Sequence, residues 1–203
     1  MPACILRHVE KRDGEGMQLK NSKQTYGWVS IAIHWLMALA IFGMFGLGLY
    51  MVELTYVDEW YRAAPNLHIG AGMLLLFTLL LRLFWRLINP LPELYGNPFE
   101  QFVGLFVHRL HYVFMFFLMV SGYLIVTADG RAIDVFNWFE VPAIFAAEKG
   151  REETAGLIHF YLAWAFMGFV ALHSAAALKH HLIDKDRTLL RMLGIQSNKG
   201  KGE

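Results

Sequence analysis

The feature that most constrains this chain is a set of four long runs containing no Asp, Glu, Lys or Arg, at residues 28–52, 63–81, 110–128 and 154–178. Each is close to or above the ~20 residues a helix needs to cross the hydrocarbon core of a bilayer. No water reaches that layer to satisfy backbone N–H and C=O groups, so an apolar run of this kind crosses it as a helix that bonds its own backbone. The expected fold class is all-α, an integral membrane four-helix bundle with helices at 29–52, 63–88, 107–128 and 154–180. Composition agrees, with 56% hydrophobic and only 17% charged residues, above and below the levels of soluble domains. The spans fill a domain at 27–193 and leave no room for a separate soluble one, which excludes a Rossmann domain, a hydrolase or a nucleic-acid module. A net charge of +1 gives no separate argument for a polyanion partner.

The segment 1–26 mixes Arg7, Glu10, Lys11, Arg12, Asp13 and Glu15 without periodicity and reads as a mobile tail; Met1 and Met17 are both candidate starts. The first apolar run is too long, and begins too late, for a cleaved signal peptide. The single Cys4 excludes an intrachain disulfide. A second tail is expected at 194–203. Lys and Arg number five before the first helix, three beside the second loop (Arg82, Arg86 and Arg109) and six from Lys179 at the end of the fourth helix onward, against four on the opposite side. The positive-inside rule then predicts a multi-pass protein with both termini in the cytoplasm. The outer side also carries nine acids, giving it a formal charge of −5. Pro90, Pro92 and Pro98 predict an irregular second loop over 89–106. The apolar cluster at 135–139 in the third loop suits a segment lying in the outer interface.

Five histidines fall inside or at the mouths of the spans: His34, His68, His111, His159 and His173. Ionisable side chains at such depth are costly, so they point to function. His159 and His173 are 14 residues apart, about four turns and roughly 21 Å along one helix face. Depth pairs His34 with His173 toward the cytoplasmic side and His68 with His159 toward the outer side. Two pairs at two depths are what two stacked six-coordinate haems require, one imidazole on each face of each iron. Without a Cys-x-x-Cys-His attachment motif the haems would be held non-covalently, as b haems. With both axial positions filled there is no open site for oxygen activation, and the expected chemistry is one-electron transfer. Gly70, Gly72, Gly156, Ser174, Ala175 and Ala176 are small enough to let flat macrocycles approach. Phe166 lies seven residues from each helix 4 ligand, between the haems or simply in the bundle core.

Arg82 and Arg86 follow His68 by 14 and 18 residues, on its face and at the depth of the inner haem. Either could pair with a haem propionate; the alternative is a snorkelling anchor at the headgroups. His180 continues the His173 stripe, or with Lys179 and His181 forms an ordinary basic helix end.

Ile33-His34-Trp35, Leu67-His68-Ile69-Gly70, Arg109-Leu110-His111-Tyr112, the run from Leu172-His173-Ser174 to His180-His181, and Asp186-Arg187-Thr188-Leu189-Leu190-Arg191-Met192 together resemble the bacterial cytochrome b561 family. The likeness extends over about 26–193. It implies a four-helix inner-membrane protein with two b haems, and carries the family's ligand histidines onto His34, His68, His159 and His173. It also implies, as a candidate activity, oxidation of superoxide with ubiquinone as electron acceptor. His111 matches a recurrent family histidine that is not a ligand. It and His180 are candidate quinone-proximal groups, since quinone reduction takes up protons and imidazole titrates near neutral pH.

Two functions follow. One is a superoxide:ubiquinone oxidoreductase working from the outer haem to the inner one. The other is a haem-bearing membrane electron carrier or anchor for a separate periplasmic redox protein. A transporter would also bury histidines, but would not need four of them paired by depth. The acidic outer side slows an anion such as superoxide, although Arg151 and Lys149 before helix 4 could form a local basic mouth near His159.

Overall fold

The computed structural model describes residues 18–195. Four long helices run through it: α1 (Trp28–Val52), α2 (Ala63–Ile88), α3 (Pro98–Val126) and α4 (Arg151–Leu182), followed by a short α5 (Thr188–Met192). All four long helices are apolar and long enough to cross a membrane, which makes this an all-α, multi-pass membrane protein. Their outward faces carry exposed Leu and Phe side chains such as Leu36, Leu39, Leu81, Phe84 and Leu172. In water that surface would be a large liability, whereas lipid tails solvate it without cost.

The ends of the described chain meet at one end of the bundle, the termini end. There the Asn21 amide donates to the Pro90 carbonyl, its Oδ1 accepts from Ser30, and Trp35 Nε1 donates to the Met192 carbonyl. Residues 18–26, expected as tail, are thus tied to the α2–α3 connection and to α1. Gly27 turns the chain into α1 at a point where a Cβ would run into the Leu19 and Lys20 carbonyls.

Two connections differ from expectation. α3 begins at Pro98 rather than near 107, because Asn97-Pro98-Phe99-Glu100 is a complete helix start. Asn97 Oδ1 accepts from the Glu100 N–H, and the Asn97 N–H donates to Glu100 Oε2, while proline at the first position has no N–H to leave unpaired. The third loop is a β-hairpin, β1 (Ile133–Val135) antiparallel to β2 (Phe139–Val141), with Phe136 and Asn137 both at positive φ in the turn. Its Ile133 and Val135 are buried on α2 and α3, and Trp138 points outward. The cluster is therefore half inserted into the bundle rather than lying flat on the interface.

α3 packs along α4, α1 on α2 and α2 on α3. The α1–α4 and α2–α4 gaps are wider. They are bridged by side chains, among them Phe45 against Trp164 and two pairs of histidines.

Candidate functional site: two histidine pairs

His34 on α1 and His173 on α4 face each other toward the termini end, ring centres 6.5 Å apart. His68 on α2 and His159 on α4 do the same toward the hairpin end, at 6.2 Å. Two imidazoles bound to opposite sides of one metal have ring centres about 6 Å apart, from metal–nitrogen bonds of about 2.0–2.1 Å plus the inner half of each ring. Both pairs meet that spacing, and both span helices whose backbones stand apart. The donor set therefore fits a flat group held at its metal between trans imidazoles. Two glycines missing from the sequence reading keep the space beside the rings. A Cβ on Gly48 would approach His68 Cε1 to 3.3 Å, and one on Gly122 would approach His159 Cε1 to 3.1 Å. Neither was legible, because each faces a histidine on a different helix. Of the small residues singled out in the sequence, Gly70 instead receives the Phe136 ring of the hairpin and Gly72 faces Met44, while a Cβ on Gly156 would meet open space.

The four rings differ in what holds them. His159 Nδ1 lies 2.9 Å from the Leu118 carbonyl, which can only accept, so Nδ1 carries the proton and Nε2 keeps a free lone pair. Ser121 Oγ, 3.2 Å from the same Nδ1, is a second acceptor while its own proton goes to Leu118. This is the tautomer in which a neutral histidine binds metal through Nε2. His68 Nδ1 is buried with no partner among the described residues. At His34 the logic inverts. Arg82 Nη2 lies 3.0 Å from Nδ1, and a guanidinium only donates, so Nδ1 accepts and the proton sits on Nε2. Metal binding through Nε2 requires the other tautomer, and Arg82 must then turn from the ring.

Arg82 also donates from Nε to the Tyr112 hydroxyl at 3.1 Å. Its guanidinium and that of Arg86 lie 5.7 and 5.5 Å from the centre of the Tyr112 ring. Among the described residues neither arginine has a carboxylate partner, so two positive charges stand together on Tyr112, that of Arg82 directly beside His34. Tyr112 had been no more than part of a motif, and its role as the arginines' support came only from the fold.

His173 is crowded by His111 at 5.0 Å and His108 at 5.4 Å. His111 Nδ1 donates to the Val107 carbonyl at 2.8 Å, leaving Nε2 buried and unpartnered. Phe166, 2% exposed, stacks with Phe114 and meets His111 edge-on, at mid-height between the two α4 histidines. His180 sits at the rim, its Nδ1 2.8 Å from Asp186 and 3.0 Å from Asp184. Burial works against ionisation of Asp186, but the Thr188 N–H and His180 outweigh it and hold the carboxyl below its usual range.

At the hairpin end Arg151 is paired with Glu148 at 2.7 Å and lies over the Phe145 ring. Beside it a cavity of about 690 Å³ is lined by Ile69, Asp129, Arg131, Glu148, Lys149 and Glu152 among others, and Arg131 is paired with Asp129. With Asp129, Glu148 and Glu152 against Arg131, Lys149 and the adjoining Arg151, the charges balance and the mouth carries no net positive charge.

The family model for prokaryotic cytochrome b561 matches residues 25–194. Similar proteins include "Cytochrome b561 homolog 2" of Escherichia coli (strain K12), 45% identical over 184 residues that cover 90% of this chain and 98% of that one. Another is "Probable superoxide oxidase CybB" of Yersinia pestis, 28% identical over 171 residues, covering 83% and 95%. Matched from just before α1 to just after α5, the chain belongs to the prokaryotic cytochrome b561 family, and membership makes it a membrane-bound b-type cytochrome of electron transfer.

Proposed function

We propose that this protein is a two-haem electron carrier, moving single electrons between the two ends of its bundle, with His34/His173 and His68/His159 as the axial pairs. The observation that carries the reading is the pair of imidazole spacings, 6.5 and 6.2 Å, at two depths. Haem b held by these histidines would supply reversible one-electron exchange. The chain's own residues do the rest. Leu118 and Ser121 hold His159 in the binding tautomer, Arg82 and Arg86 balance haem carboxylates beside His34, and Phe166 fills the space between the pairs and keeps water out. The charge asymmetry of the loops supports an orientation with the termini in the cytoplasm of a bacterial inner membrane. The donor on the outer side is then a separate periplasmic redox protein, favoured by the net acidic outer loops. Pyridine haemochrome analysis against protein concentration tests the proposal: two non-covalent b haems per chain are expected, and one in fully loaded protein would refute the double pairing.

A second reading takes superoxide as donor and ubiquinone as acceptor, and rests on the likeness to the Yersinia pestis protein. In it the quinone is reduced near the inner haem, with His111 and His180 as proton-handling candidates, and Arg151 lies nearest the superoxide side. Exposure of reconstituted protein to superoxide, with and without ubiquinone, decides between the two: rapid reduction of the haem bands followed by quinone-dependent reoxidation favours this reading over the first.

A further inference from the structure

We propose that Arg191 is the centre of an anion site at the termini end that takes one phosphate-type group, presented by a phospholipid or as free phosphate. Arg191 lies on α5 and is only 9% exposed. Its guanidinium lies over the rings of Tyr26 and Tyr95, 5.6 and 5.0 Å from their centres, and Nη1 donates to the Glu93 carbonyl at 2.8 Å. The other two nitrogens, Nε and Nη2, are buried without a partner among the described residues. Among the described residues no carboxylate pairs with it. Nor does Tyr26 supply a counter-charge, since burial pushes its phenol up and keeps it neutral.

A buried cation with unmade hydrogen bonds is strongly unfavourable unless an anion completes it. The two free nitrogens are not scattered: Nε–H and Nη2–H form one edge of the guanidinium, the fork that takes two oxygens of a phosphate side by side. A small cavity borders this arginine, lined also by Gln18, Thr25, Tyr26 and Trp28 and with room of about 10 Å³. That accepts an oxygen edge rather than a whole phosphate, so the body of the group stays at the rim. Trp28, 42% exposed beside it, is of the residue type that marks the headgroup level of a bilayer, where phosphodiesters are abundant.

The test uses full-length holoprotein, delipidated in detergent and titrated separately with short-chain phosphatidylglycerol, inorganic phosphate and phosphate-free diacylglycerol. Native mass spectrometry and the thermal unfolding midpoint are the readouts. One phosphate-bearing ligand per chain is expected, with a raised midpoint. Arg191→Gln should weaken binding by at least about tenfold, the loss of charge-assisted bonds, with haem content and both haem midpoint potentials unchanged. Should that variant fold poorly, Arg191→Lys keeps the charge but not the fork, and it too should bind less tightly. A response to phosphatidylglycerol alone identifies a lipid site, and a response to inorganic phosphate as well identifies a general phosphate site; both support the proposal. It is overturned if diacylglycerol acts equally well or if the Arg191 variants bind like wild type. It is also overturned if they lose a haem or shift its potential, which would give the fork to the cofactor. Neutralising Glu10, Asp13 and Glu15 should leave binding intact; an effect equal to that of Arg191→Gln would assign the fork to the chain's own carboxylates and overturn it too.

Discussion

Replacing Arg82 with Leu should lower the midpoint potential of the haem at the termini end, and the structure allows the size to be worked out. Arg82 Nη2 is 3.0 Å from His34 Nδ1, and an imidazole sets a metal at its far nitrogen about 4 Å further on; with the guanidinium turned off Nδ1 but still beside Tyr112, its charge lies on the order of 7 Å from the redox centre. At an effective dielectric constant of about 20 a unit charge at that distance contributes about 2.4 kcal/mol. For a one-electron couple that is on the order of 100 mV. Positive charge favours electron uptake, so its removal shifts the potential downward. The His68/His159 centre is about 21 Å further along α4, where the same charge contributes only about 0.7 kcal/mol, roughly 30 mV. Redox titration of the purified variant, following both spectral components, is the assay. An unchanged potential at the termini end in fully loaded protein, or equal shifts in both components, would refute the reasoning and return Arg82 to the role of a headgroup anchor.

Three further outcomes are expected. His159→Ala should remove or loosen the haem at the hairpin end and spare the other, with His34→Ala doing the reverse; loss of the same spectral component in both variants would break the pairing. Gly70→Ala places a Cβ 2.6 Å from the Phe136 ring, so it should cost about 1–3 kcal/mol of stability through overpacking, visible as a lower thermal midpoint that Phe136→Ala partly restores. His180→Ala should leave both haem spectra intact yet slow reoxidation by ubiquinone; reoxidation at the wild-type rate across pH and quinone concentration would remove His180 from any quinone role.

The spans and the depths of the histidines could be read from sequence because a bilayer imposes one dimension on everything inside it. With charge-free runs marking the starts of α1, α2 and α4 to within a turn, counting residues inward from those ends sets the depths of His34, His68, His159 and His173. What needed the fold was lateral: which ring leans on which neighbour. Gly48, Gly122 and the Leu118 carbonyl touch histidines across helix–helix boundaries, and no spacing within one helix reports that. α3 starts inside the segment that the three prolines mark as irregular, because a proline just after a cap begins a helix rather than preventing it and Asn97–Glu100 supplies that cap. Arg151 illustrates the limit for charges: its sequence position next to α4 promised a free cation, and the fold closed it onto Glu148.

Each histidine pair takes one member from α4, the last of the long helices to be synthesised. A nascent chain that has inserted only α1, α2 and α3 holds His34 and His68 as single imidazoles, with no trans partner for either. Under the proposed ligation, cofactor capture at both depths waits for the same event, the arrival of α4. Chains truncated before Arg151 should therefore assemble neither centre rather than one, and loading in the cell should respond to defects in α4 insertion as a single step.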